Sequence, residues 1–198
     1  IDKLNKKHVP IKYVEKYELD RLVDGNHQGI VFKVDDYKYV DIDSLLLKEN
    51  PLLVILDHLE DPHNFGAIIR TCEAAGVDGI IIPKNRTVEV NSTVMRTSVG
   101  ALDNVKIAQV TNLKNTINYL KKQGFWIVGT DMDGTDYTKI DYTGKMAIVT
   151  GSEGFGMSRI VRESCDFIAT IPMKGKVNSL NASVATGIVI YEAIKGRN

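Results

Sequence analysis

The sequence predicts an α/β protein: a mostly parallel sheet flanked by helices on both faces. Three observations carry this. Apolar runs of strand length alternate with segments of helical periodicity from Leu52 onward. LLVILD (52–57) is apolar without interruption, as in a strand buried on both faces. Finally, polar and glycine-rich clusters follow the apolar runs, where strand-to-helix loops of an open α/β sheet gather and bind ligands.

The elements follow in order. IKYVEKYELDRLVDG reads as a short strand and then a helix ended by Gly25, and GIVFKV (29–34) as another strand before the turn Asp35-Asp36. Residues 1–48 carry too little apolar surface for a stable domain. They are expected to pack on the main domain or to be the tail of another, with the boundary in LKENP ending at Pro51. The main domain then spans 49–198. After the strand at 52–57 come a helix from about Asn64 to Ala75 closed by Gly76, a strand in GIIIP, a helix over Asn91–Ser98 and a strand in VKIAQV. Asn112–Gln123 is a helix with Leu113, Ile117 and Leu120 at helical spacing, stopped by Gly124. FWIVGT, MAIVTG and DFIATIP are three more strands, a short helix over Met157–Glu163 lies between the last two, and Ser179–Lys195 closes the chain as a long helix.

Composition bounds the function. Of 198 residues, 43% are hydrophobic, which supports a buried core and excludes a disordered chain. Formal net charge is zero, so any nucleic-acid contact must use local patches rather than a whole-molecule field. Cys72 and Cys165 form neither a metal spacing nor a disulfide framework and read as buried thiols in a reducing cytosol. Four scattered histidines complete no metal motif. The chain has no apolar run of about 18 residues and no signal segment, and the expectation is a cytoplasmic protein with no membrane partner and no metal. It opens at Ile1 rather than Met and reads as a trimmed piece.

Three clusters stand out: DPHNFGAIIRT (61–71), VTGSEGFGMSR (149–159) and IPMKGKVNSLNASVA (171–185). In the first, Pro62 and Asn64 suit a helix start and Gly66 a close approach. Arg70, six residues after Asn64, has no such structural reason; its rigid donor fork suits phosphate. The second has glycines spaced GxxGxG, neither a P-loop nor the GxGxxG dinucleotide fingerprint. Its Glu153 is an acid where anion-binding loops carry none, and it suits a cationic or hydroxyl-bearing ligand. In the third, Ser179 is the expected N-cap, and Asn181 and Ser183 are polar residues in the first turn of an otherwise apolar helix, where a ligand can partner them. Lys174 and Lys176 flank that loop and suit a phosphate.

In this order the clusters resemble the three signature motifs of the SpoU (TrmH-type, SPOUT superfamily) RNA ribose 2′-O-methyltransferases. Asn64, Gly66 and Arg70 match the first; Gly151, Glu153, Gly154 and Gly156 the second; Pro172, Ser179, Leu180, Asn181 and Ser183 the third. The resemblance covers about Leu52–Ala193. NHQG (26–29), IIPK (81–84) and TGIVIYEA (186–193) look like the branch that methylates a guanosine ribose in the peptidyl-transferase region of 23S ribosomal RNA. Members of that branch carry an N-terminal RNA-binding domain of ribosomal-protein (L30e-like) type, of which 1–48 would be the C-terminal remnant plus linker.

The resemblance further implies a C-terminal deep trefoil knot, otherwise nearly absent from proteins, with S-adenosylmethionine (AdoMet) bound in it. By position, Gly151, Ile171 and Leu180 frame its adenine and ribose, with Thr130, Gly154, Met173 and Asn181 nearby. It implies a homodimer through the knot helices, with an active site drawing on both subunits. The catalytic set is then Arg70, Asn64, Glu153, Ser179 and Asn181, and Arg70, Lys174 and Lys176 contact RNA. Methyl transfer to a ribose 2′-OH is an in-line displacement; Arg70 would fix the adjacent phosphate and stabilise charge developing on oxygen. Three other readings compete: a transfer-RNA methyltransferase with the same motifs, a catalytically silent RNA-binding relative, and a doubly wound dehydrogenase. The intact motif residues oppose the silent relative, and the missing GxGxxG opposes the dehydrogenase.

Overall fold

A computed structural model describes residues 2–23 and 26–197 and divides the chain into two compact units, Ile1–Asp36 and Tyr37–Asn198. The first holds two short helices, α1 (Asp2–Lys6) and α2 (Lys16–Leu22). None of its described side chains is buried. The strands expected near Ile11 and over GIVFKV are absent: among the described residues no β pairing reaches this unit, and Ile30, Phe32 and Val34 are exposed. A strand needs an edge to bond to, and alternation of residue types does not supply one. Gly25, the expected stop of α2, lies outside the described residues.

The second unit begins at Tyr37, ahead of the expected 48/49 division, because two tyrosines tie its leading segment down. Tyr37 donates to the Val105 carbonyl (3.2 Å), the Tyr39 hydroxyl accepts from the Val90 amide (3.0 Å), and Val40 pairs with Ala108. Its sheet has six parallel strands in the order β3-β2-β1-β5-β4-β6. They are β1 (Leu52–Asp57), β2 (Gly79–Pro83), β3 (Ile107–Val110), β4 (Trp126–Asp136), β5 (Met146–Gly151) and β6 (Phe167–Thr170). The α/β class and the parallel order agree with the sequence.

The unbroken apolar run of β1 has a two-sided explanation. Leu52, Val54 and Leu56 face one core, with Phe65, Ile68 and Ile69 of α3 (Pro62–Ala74) and Val189 and Ile190 of α7 (Ala182–Ile194). Leu53 and Ile55 face the other, with Leu113, Ile117 and Leu120 of α5 (Leu113–Lys122). Each such side chain stabilises the fold by about 1.5–3 kcal/mol. Two shorter helices, α4 (Ser92–Thr97) and α6 (Arg159–Arg162), complete the layers.

Three elements differ from expectation. The Met157–Glu163 helix shrinks to the single turn of α6, because Met157 is buried against the sheet and Ser158 is extended. Strand β4 runs on through Asp136, with a register shift between Thr130 and Thr135. Arg162 secures that bulge, donating to Asp131 (2.8 Å) and Asp133 (2.9 Å). The last helix starts at Ala182, not Ser179. Its N-cap is Asn181, whose side chain accepts from the Ser183 and Val184 amides, and Ser179 makes no cap.

Candidate active site

Strands β1 and β5 lie side by side, with Asp57 opposite Gly151, at the point where the strand order reverses. A crevice outside the carboxyl ends is expected there, and the loops leaving these two strands are the first and second clusters. The third cluster follows β6 and leads into α7, which packs on α3 and β5. The topology therefore brings three sequence-distant loops together.

A hydrogen-bonded chain of side chains joins all three. The Asn181 Oδ1 atom accepts from the Ser183 amide (2.9 Å) and the Ser183 hydroxyl (2.6 Å) at the start of α7. Its amide nitrogen must then face outward, and it donates to Asn64 Oδ1 at 2.9 Å. That commits the Asn64 nitrogen to two carboxylates, Glu153 and Asp61 (3.3 Å). Polarity thus runs one way, from the backbone amides of α7 through Asn181 and Asn64 to Glu153. Asn64 is only 8% exposed, so its amide is committed to these partners rather than to water. It sits in the first turn of α3, which Asp61 caps by accepting from the His63 amide (2.7 Å) with Pro62 in the first helical position.

Beside this chain opens a cleft of about 840 Å³ between the ends of β4, β5 and β6. Gly151, Gly154 and Glu153 line it from the second cluster, and Ile171, Met173, Ser179, Leu180 and Asn181 from the third. Thr130 lines it from β4. Gly151 cannot be replaced without moving backbone: a Cβ there would stand 2.0 Å from the Gly156 carbonyl carbon and 2.2 Å from the Met157 amide nitrogen. Below the floor, the buried Thr186 donates to the Ala182 carbonyl (2.6 Å) and meets the Thr150 hydroxyl (3.0 Å), fastening α7 to β5.

Three expected residues stand apart. Arg70 is exposed, is not among the residues lining the cleft, and makes no hydrogen bond or ion pair among the described residues. Lys174 and Lys176 are exposed on the segment after β6 and also lie off the cleft wall. Arg70 precedes Thr71, which with Val184, Gly187, Ile188 and Tyr191 forms a shallow apolar groove between α3 and α7.

Other residues escaped the sequence reading. Asp57, fully buried at the end of β1, accepts from the Ser158 amide (2.6 Å) and pairs with His58, so it anchors the far end of the second cluster. A carboxylate ending an apolar run was a visible signal. Asp131 and Met132 line the cleft only because β4 bulges there, and no local pattern announced it. Both thiols are held in the neutral form: burial, complete for Cys72 and partial for Cys165, pushes Cys165 up to about 12 and Cys72 higher still.

Comparison with known proteins agrees with the motifs. The SpoU rRNA Methylase family matches residues 51–191, and the family of RNA 2′-O ribose methyltransferase substrate-binding domains matches residues 1–40. YacO of Bacillus subtilis (strain 168), named as a candidate TrmH family tRNA/rRNA methyltransferase, is 46% identical over 204 residues, covering 100% of this chain and 82% of its own. Among solved structures, the SpoU methyltransferase AviRb of Streptomyces viridochromogenes, in complex with the cofactor AdoMet, superposes with a TM-score of 0.75 at 30% identity over 81% of this chain. This chain spans just under two thirds, 66%, of AviRb. The A. aeolicus TrmH/SpoU tRNA modifying enzyme superposes with a TM-score of 0.69 at 34% identity, covering 78% of this chain and 79% of that one. A glycine loop that fits no dinucleotide fingerprint, an acid held by an asparagine that a second asparagine fixes, and these matches have one reading in common: the chain belongs to the SpoU (TrmH-type) methyltransferase family.

Proposed function

We propose that this protein transfers a methyl group from AdoMet to a ribose 2′-hydroxyl in RNA, with a guanosine of 23S ribosomal RNA as the target. The observation that carries the reading is the one-way hydrogen-bonded chain from α7 through Asn181 and Asn64 to Glu153, at the mouth of the cleft. The cleft fits AdoMet. Its volume lies in the range of small-molecule sites, Ile171 and Leu180 offer an apolar wall for an adenine, and Glu153 and Asp131 offer carboxylates for the cationic end. When bound, AdoMet supplies an electrophilic methyl group on a sulfonium. Thr130, Gly151, Gly154, Ile171, Met173 and Leu180 would hold it within a knotted C-terminal region.

The residues of the chain do the rest. Asn64 engages one oxygen of Glu153, and the carboxylate's remaining acceptor sites can take a hydrogen bond from the ribose hydroxyl and orient its lone pair. Asn181 fixes Asn64, and Ser179 lines the same wall. Arg70, free of internal partners among the described residues, grips the phosphate beside the target ribose and stabilises negative charge developing on the 2′ oxygen as its proton passes to water. Lys174 and Lys176 add phosphate contacts, and the N-terminal unit, matched by the substrate-binding family, contributes to RNA binding. The apolar groove beside Arg70, with Val184 and Tyr191 each 50% exposed, supports a homodimer through α7 and lets Arg70 serve an active site shared between subunits. A ribosomal-RNA enzyme of this kind works in the cytoplasm.

The test is calorimetric binding of AdoMet together with methyl transfer to unmodified 23S ribosomal RNA and to transfer RNA. Binding with transfer to ribosomal RNA is expected. Transfer to transfer RNA alone would move the target to that class, and absence of AdoMet binding would overturn the reading.

A further inference from the structure

We infer that Phe155 is a stacking platform for a nucleobase of the RNA substrate, beside the ribose that Glu153 faces; the inference rests on the function proposed above. Ser152 and Gly156 exchange two backbone hydrogen bonds (3.1 and 3.0 Å), closing a loop of only Glu153, Gly154 and Phe155. Gly154 and Gly156 both take positive φ, +88° and +65°, which sets the tight turn, and the backbone of Gly156 and Met157 lies directly against Gly151. The loop is thus clamped at its base from below. Glu153, on one flank, is held by Asn64.

Phe155, two residues on, packs on nothing. It is 95% exposed, more than any other large hydrophobic side chain among the described residues. A bare aromatic ring on a clamped loop at the rim of a cleft has no structural reason to be there, since folding gains nothing from it. The family motif, Gly151, Glu153, Gly154 and Gly156, leaves this position open.

The chemistry of the surroundings selects the occupant. The other wall of the cleft comes from the 171–181 segment, which carries exposed Lys174 and Lys176. An exposed aromatic face on one wall, with cations on the segment that supplies the other, is a combination that binds unstacked single-stranded bases. It matters more here than in a basic protein. With a formal net charge of zero, the whole-molecule field gives little sequence-independent attraction, and stacking has a larger share of the affinity to supply. A ribose 2′-hydroxyl can be reached only when its nucleotide is accessible, and a ring at the rim can hold a base of that nucleotide or its neighbour out of the helix.

The experiment measures methyl transfer at saturating AdoMet with RNA varied, for wild type, Phe155→Ala, Phe155→Tyr and Phe155→Trp. Phe155→Ala is expected to raise KM for RNA roughly 5- to 150-fold, the range of one lost base stack, with kcat within about twofold. Tyr and Trp restore KM, and RNA quenches the fluorescence added by the new Trp. Calorimetric affinity for AdoMet and the sedimentation coefficient stay at wild-type values. An unchanged KM in Phe155→Ala, with wild type active, would overturn the inference while leaving the proposed function standing. A parallel loss of AdoMet affinity would make Phe155 a cover for the cofactor, and a change in sedimentation would make it a subunit contact; either result also overturns it. Wild type inactive on every RNA would remove the function and this inference with it.

Discussion

Replacing Asn64 tests whether polarity, rather than shape, organises the site. Asn64→Ala removes the donor to the Glu153 carboxylate and the acceptor for Asn181. A hydrogen bond to a charged group contributes about 1.5–3 kcal/mol and a neutral one about 0.5–1.5 kcal/mol. Glu153 is exposed and can rehydrate, so the expected loss of folding stability is only about 1–2 kcal/mol. The catalytic loss is larger, because Glu153 is released from its position: roughly 100-fold in kcat, the scale of a 1 Å misplacement. Asn64→Asp keeps the shape but places a third carboxylate against Glu153 and Asp61. Two charges 4 Å apart at an effective dielectric of 20–80 repel by about 1–4 kcal/mol. Asn64→Asp is therefore expected to be both less stable and less active than Asn64→Ala, although it is closer to the native shape. Thermal denaturation and single-turnover methyl transfer measure the two effects, with AdoMet affinity as a control expected to change less than about threefold. If Asn64→Asp equals or exceeds Asn64→Ala on both counts, the directional chain does not organise the site.

Three further outcomes follow from the geometry. Arg70→Ala is expected to lower kcat/KM at least about 100-fold, the loss of one stabilising donor, while AdoMet affinity and Tm hold, because Arg70 has no internal partner among the described residues; retained turnover would refute its role. Gly151→Ala must push the Gly156–Met157 backbone away, so it is expected to cost about 1–3 kcal/mol of stability and to weaken AdoMet binding at least tenfold by calorimetry. In the folded protein at pH 8.5, iodoacetamide is expected to leave Cys72 and Cys165 unmodified by mass spectrometry, since burial raises both thiols. The same shift makes the stability supplied by the neutral thiols fully present below the unfolded value of about 8.5, and lost as pH climbs through the folded values, about 12 for Cys165. Rapid labelling of either thiol would contradict the raised values, which rest on full burial for Cys72 and partial burial for Cys165.

Much of the main fold was legible because burial leaves a mark on residue type. The unbroken LLVILD run announced a strand between two cores, and Leu113, Ile117 and Leu120 announced a helix with one buried stripe. The three loops were legible because polar residues among glycines have no packing reason to follow buried strands. What failed had no local signature. GIVFKV has the residue types of a strand but lacks a partner edge. The β4 bulge that brings Asp131 and Met132 to the cleft depends on Arg162, some thirty residues away in sequence. Ser179 and Asn181 are both good N-caps, and the choice fell to Asn181 because its amide must also meet Asn64 across the site. Sequence could name Asn64, Glu153 and Asn181 as polar residues in search of partners, but only tertiary structure shows that they are one another's partners.

The most direct test of the central claim is to identify the product. The protein is incubated with unmodified 23S ribosomal RNA and AdoMet carrying a labelled methyl group, and the RNA is digested to nucleosides and resolved by mass spectrometry. The account predicts label in 2′-O-methylguanosine, in an alkali-resistant linkage, reduced about 100-fold by Asn64→Ala. Label on a nucleobase, or label in the ribose that Asn64→Ala leaves untouched, would contradict it.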